Sequence, residues 1–134
     1  MIVGIDPGTK RVGVAIADDE TRFARPLEVI DVTRTDPVTR ISEIVSREDA
    51  RLVIVGRPLS LRGEAGRAVA AQRDFIARLN EALPIPVVEH DERLTTVVAD
   101  QGLRAAGGRS KARGGLRDAV AAQLLLQSYL DGQR

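Results

Sequence analysis

Asp6, Asp91, Glu92 and Asp118 are the residues whose type and placing could do chemistry. Asp6 closes the apolar run Ile2-Val-Gly-Ile and precedes Pro7-Gly8, so it ends a strand with its carboxylate at the rim of a sheet. An aspartate there also suits an Asx turn, and both readings stay open on this segment alone. Asp91-Glu92-Arg93-Leu94-Thr95-Thr96 sets two carboxylates between a strand and a helix. They could hold a cation, or favour the helix dipole with Thr95 or Thr96 as N-cap. Asp118, Ala122, Leu125 and Tyr129 recur at helical spacing, which puts Asp118 on the stripe that a helix buries. An unpaired carboxylate buried there is costly and calls for a cation or strong donors. Arg117 points about a quarter-turn away, so a metal is the better candidate partner. The chain has no cysteine and one histidine, His90, which reads as a strand-end packing residue. Oxygen ligands therefore dominate any metal site, which favours Mg2+ or Mn2+.

Cations gather in the same parts of the chain. Lys10 and Arg11 follow Asp6 within the first turn, and Arg93 follows the acidic pair. Arg57 and Arg62 lie in the Gly-rich stretch Gly56 to Gly66, a strand-to-helix connection whose amides could face an anion. That stretch has neither a phosphate-loop lysine nor a G-x-G-x-x-G, so it marks no nucleotide pocket. Arg104, Arg109, Lys111, Arg113 and Arg117 interleave with Gly107, Gly108, Gly114 and Gly115, and no acid intervenes. A wholly cationic loop beside carboxylates suits a phosphodiester backbone, although basic runs also occur as solvated surface. With Phe23, Phe75 and Tyr129 as the only aromatics, base stacking does not dominate recognition.

The positioning elements follow from the pattern. A chain of 134 residues, 43% of them hydrophobic, reads as one domain spanning 1–134. Net charge is +1, and neither a signal peptide nor an apolar run of membrane-spanning length is present. A soluble, cytoplasmic protein is expected. Ile2 to Ala17 reads as a hairpin, with Phe23, Leu27, Val29, Ile30 and Val32 as a third strand after the acidic turn Asp18-Asp19-Glu20. Asp36-Pro37 is an N-cap with proline at the first helical position, and Val38, Ile41, Ile44 and Val45 share a helical face. Leu52 to Val55 is a strand covered on both faces. A second helix runs from Ala65 towards Pro84, Pro86 to His90 is the fifth strand, Leu94, Val98 and Ala105 mark a third helix, and Leu116 to Leu130 the last. Gly107 to Gly115 is the loop before it. The expectation is an α/β fold with a mixed five-stranded sheet: a three-strand meander, two parallel strands, and helices packed on the faces. Asp6, Arg57 and the Asp91-Glu92 pair then converge at one sheet edge, where ligands bind in such folds.

Asp6-Pro-Gly-Thr-Lys-Arg-Val-Gly-Val-Ala, Gly56-Arg-Pro-Leu-Ser-Leu-Arg-Gly, Asp91-Glu-Arg-Leu-Thr-Thr and Asp118-Ala-Val-Ala-Ala-Gln-Leu-Leu-Leu-Gln-Ser-Tyr-Leu together resemble the YqgF family, also called RuvX, over almost the whole chain. The resemblance implies a ribonuclease H-like fold related to Holliday-junction resolvases. It implies a bacterial nuclease that helps mature the 5' end of pre-16S ribosomal RNA, with a divalent metal. The family's acidic positions fall on Asp6, Glu92 and Asp118, with Asp91 a substitute for Glu92. Relatives often carry lysines ahead of the last aspartate; here arginine prevails, with Lys111 the exception. The expected substrate is an RNA precursor, with branched DNA the rival. A ribosomal particle is a candidate partner, and the chain would act as a monomer or homodimer. A non-catalytic ribosome-assembly binder is a third reading. An actin-like ATPase, suggested by Asp6-Pro-Gly-Thr, needs two comparable lobes, and this length supplies one.

Overall fold

In the computed structural model, which describes residues 1–57, 65–91 and 114–133, the two leading apolar runs pair as the antiparallel strands β1 (Ile2–Asp6) and β2 (Arg11–Ala17). Their turn is tight. A methyl group built on Gly8 would overlap the carbonyl oxygen of Arg11. Strand β3 (Ala24–Asp31) continues the meander, with a register shift opposite Val14 and Ala15. Helix α1 (Pro37–Glu48) follows, then β4 (Leu52–Arg57), α2 (Ala65–Ala82), β5 (Val87–Asp91) and α3 (Gly114–Gly132). The sheet order is β3-β2-β1-β4-β5, with β4 parallel to β1 and β5 parallel to β4. This is the expected α/β arrangement, with β1 at the centre.

Local chemistry sets the helix ends. Asp36 caps α1, accepting from the Thr39 backbone N–H at 3.2 Å, and Pro37 occupies the first turn, where its missing N–H costs nothing. Val38, Ile41, Ile44 and Val45 are all buried. Alternation along the strands sorts their residues between two layers. Val3, Ile5, Val14, Val53 and Val55 pack with Ile41 and Ile44 of α1 and Leu79 of α2. On the opposite face, Ile2, Ala15, Ala17 and Ile54 pack with Ala122, Leu126 and Leu130 of α3. Strand β4 is thus covered on both sides. Small residues on the α3 face let the helix lie close: a Cβ on Gly4 would stand 2.8 Å from the Leu126 Cβ.

The structure corrects several boundaries. Phe23 lies outside β3 and is 75% exposed. The Thr21 and Arg22 turn, with Arg22 at φ 58°, turns it away from the core. Val32 also lies beyond the strand. Helix α3 begins at Gly114, so the loop expected to run to Gly115 ends sooner. Asp91 belongs to β5, paired with Arg57, rather than following the strand. The helix expected from Leu94, Val98 and Ala105 lies outside the described residues. Among the described residues, no helix is long and apolar enough to cross a membrane.

Candidate carboxylate site at the sheet edge

The site is built around Gly13. In the β1–β2 register Gly13 stands opposite Asp6, and strand alternation puts both on the face covered by α3. A side chain on Gly13 would overlap the Asp118 carbonyl oxygen, with the Asp118 carbonyl carbon 2.5 Å away and the Ala119 nitrogen at 3.1 Å. The first turns of α3 therefore rest directly on β2, one strand over from Asp6. Asp6 and Asp118, 112 positions apart, become neighbours on one face. Sequence reasoning passed over Gly13, although an isolated glycine inside a strand often marks a close backbone approach.

Asp118 also has a partner that the sequence did not single out. Arg11 Nε lies 3.1 Å from Asp118 Oδ2, with the Arg11 side chain 53% exposed and that of Asp118 29%. The Oδ2 atom itself is shielded from solvent. Arg11 opens β2 opposite Asp31, and alternation gives it the same face as Gly13. Asp31 is held below the usual carboxylate range, chiefly by the Thr33 hydroxyl and backbone N–H, with Arg34 and Arg11 adding their charge.

The next step of the β1–β4 register sets Gly56 level with Asp6, and His90 pairs with Gly56. His90 is roughly 10 Å from Asp6 at two strand spacings. It packs edge-on against Tyr129, with centroids 5.7 Å apart, and its Nε2 is 3.2 Å from Ser128 Oγ. It braces β5 against α3. The buried Gln72 of α2 donates to the Gly56 carbonyl at 2.6 Å, fixing the end of β4.

The remaining predicted residues divide. Arg57 reaches Glu89 at 3.3 Å, and alternation sets Arg57, Glu89 and Asp91 on the face opposite Asp6. Lys10 is exposed in the first turn. Glu92, Arg62, Arg93, Arg104, Arg109, Lys111 and Arg113 lie outside the described residues, as does the side chain of Arg117. Among the described residues, no three Asp, Glu, Cys or His side chains form a metal-holding group. Asp6 and Asp118 lie on one face, the latter with an oxygen shielded from water and already facing a cation, and carboxylate oxygens are the hard donors that suit Mg2+ or Mn2+.

The family model described as "RuvX: Holliday junction resolvase" matches residues 1–132. A Chloroflexus aggregans protein named "Putative pre-16S rRNA nuclease" is 42% identical over 99% of this chain and 94% of its own length. A Geobacillus kaustophilus protein of the same name is 38% identical over 98% of each chain. Among solved structures, Thermus thermophilus RuvC in complex with Holliday junction substrate superposes with a TM-score of 0.59 at 22% identity, covering 98% of this chain and 94% of that one. The yeast mitochondrial Holliday junction resolvase Ydc2 gives 0.56 at 11% identity, over 99% and 81%. The fold is the ribonuclease H-like fold of these resolvases.

Proposed function

Because the chain belongs to the RuvX family, we propose that it is a divalent-metal-dependent nuclease that trims the 5' end of pre-16S ribosomal RNA. The nuclease class follows from the family and its named relatives, and nucleic acid is the substrate. The observation that carries the finer reading is the 42% identity, over 99% of the chain, to a relative named for pre-16S rRNA. The seating of the Asp118 backbone on Gly13, the strand partner of Asp6, supports it chemically.

Asp6, Asp118 and Glu92, with Asp91 in reserve, would hold one or two Mg2+ or Mn2+ ions. Bound there, a metal supplies an activated water and neutralises charge on the scissile phosphate. The protein's part is to place the carboxylates on a rigid strand end and a packed helix. Lys10, Arg11, Arg57, Arg62, Arg93 and the cations from Arg104 to Arg117 would hold the phosphodiester backbone on either side. The chain would work as a single domain in the cytoplasm, on free precursor or on a ribosomal particle, as a monomer or homodimer.

The test is a substrate panel in Mn2+: single-stranded RNA spanning the precursor 5' end, duplex RNA, single-stranded DNA and a four-way DNA junction. Unpaired RNA is expected to be cut fastest. Symmetric paired nicks across the junction, with RNA intact, would transfer the protein to junction resolution. Nucleic-acid binding without turnover at any metal concentration would make it an assembly factor.

A further inference from the structure

Arg11 stands against a proposed metal-binding carboxylate. Its Nε is 3.1 Å from Asp118 Oδ2, an oxygen closed to solvent. A guanidinium and a divalent ion cannot both use that oxygen in the same direction at contact distance, since their charges repel and each needs the same lone pairs. Arg11 is also well placed to leave. It is more exposed than its partner, it sits at the first residue of β2 rather than within it, and its strand neighbour Asp31 offers a second carboxylate.

We propose that Arg11 is a displaceable counter-ion of Asp118: it balances the carboxylate while the site holds no metal, and the incoming divalent ion must expel it. This rests on the metal reading of Asp6 and Asp118 given above. Arg11 thereby serves two opposed ends. It balances and orients a half-buried carboxylate, and it weakens the site for metal, so that only the stronger cation completes the exchange. Metal affinity in this protein is the difference between two cation affinities.

The experiment is Mn2+ titration by calorimetry on the wild-type chain, Arg11→Gln, Asp118→Asn and, as a charge control, Arg34→Gln. Arg34 pairs with Asp31 at 3.7 Å and is largely exposed. Arg11→Gln is expected to bind Mn2+ about two- to fivefold more tightly, the change that a partly exposed ion pair commands. Arg34→Gln should match wild type. In urea without metal, Arg11→Gln should unfold at lower concentration than wild type, and saturating Mn2+ should close that gap.

A second measurement needs no variant to bind anything. The Arg11 Nε–H resonance of the wild-type chain, assigned through its loss in Arg11→Lys, should shift on titration with diamagnetic Mg2+. An unchanged or weaker Mn2+ affinity in Arg11→Gln, or an Arg11 resonance indifferent to Mg2+, overturns the proposal while leaving the metal site standing. Wild-type protein that binds no Mn2+, or Asp118→Asn that binds it as well as wild type, removes the metal reading and this inference together.

Discussion

The carbonyl of Asp118 rests on Gly13 so closely that no side chain fits between them. Gly13 is also the strand partner of Asp6, so the placing of the Asp118 backbone relative to Asp6 is set by a residue that carries no functional group. A glycine that admits a helix can matter as much to the proposed site as the aspartates on either side of it.

Gly13→Ala should therefore damage fold and activity together. Overpacking a rigid backbone contact costs about 1–3 kcal/mol, and relief by tilting α3 would carry Asp118 away from Asp6. Urea denaturation and cleavage assays should both register the loss. Gly132→Ala, with nothing within 4 Å of its added Cβ, should change stability by no more than about 0.5 kcal/mol.

Asp6→Asn and Asp118→Asn should each abolish most cleavage and leave RNA binding near wild type, because each keeps its shape and loses a negative ligand. The double variant should be little worse than either single, as expected of groups that act as a unit. Additive losses, measured under single-turnover conditions, would mean two separate roles. The Arg11 pair changes the stability side of this substitution. Burial alone would make a neutral residue at Asp118 stabilising, but loss of the ion pair offsets that, and metal-free stability should move by less than about 1 kcal/mol.

Changing Arg109, Lys111 and Arg113 together to alanine should weaken binding of single-stranded RNA and flatten its salt dependence by about 2 in log-log slope. The circular dichroism spectrum should stay that of the wild-type fold. A preserved slope would make the segment a solvated face and turn attention to Arg57 and Arg62.

Glu28 and Arg40 join β3 to α1 through two short contacts, 2.6 and 2.7 Å. The Arg40 guanidinium holds the Glu28 carboxyl below its ordinary value of 4.5, against the opposing effect of burial. A depressed folded-state pKa adds stability that is fully present above the ordinary value and is lost as pH falls through the folded one. Glu28→Gln should thus destabilise the protein by about 1 kcal/mol at neutral pH. Melting temperature followed from neutral pH to about pH 3 should fall less steeply in the variant. Some acid dependence will remain, because Asp19, Asp31 and Asp36 are also held low by their partners.

Much of this architecture is legible in local sequence, for reasons that particular residues make plain. Asp36-Pro37 announces a helix start because its cap reaches only three residues ahead. Leu52 to Val55 announces a central strand because both faces need apolar cover. Asp118 stood out because a carboxylate on a buried stripe demands a partner. The identity of that partner was not legible: Arg11 lies 107 positions away, and no periodicity links the two. Phe23 looked like a strand residue because hydrophobicity does not report the left-handed turn at Arg22. Asp91 looked like a loop residue on the site side, whereas its pairing with Arg57 gives it the other face, since one step of register reverses direction.

The close seating of α3 has a consequence in time. Strands β1 and β2 are adjacent in the chain and can pair early in synthesis, when domains form from the N-terminal side, yet α3, which seats Asp118 on Gly13, is synthesised after every other described element. Until then the face that holds Gly4, Gly13, Ala15 and Ala17 lacks the cover that α3 gives it. The face that carries Asp6 and Gly13 is thus the later of the sheet's two faces to gain its helical cover.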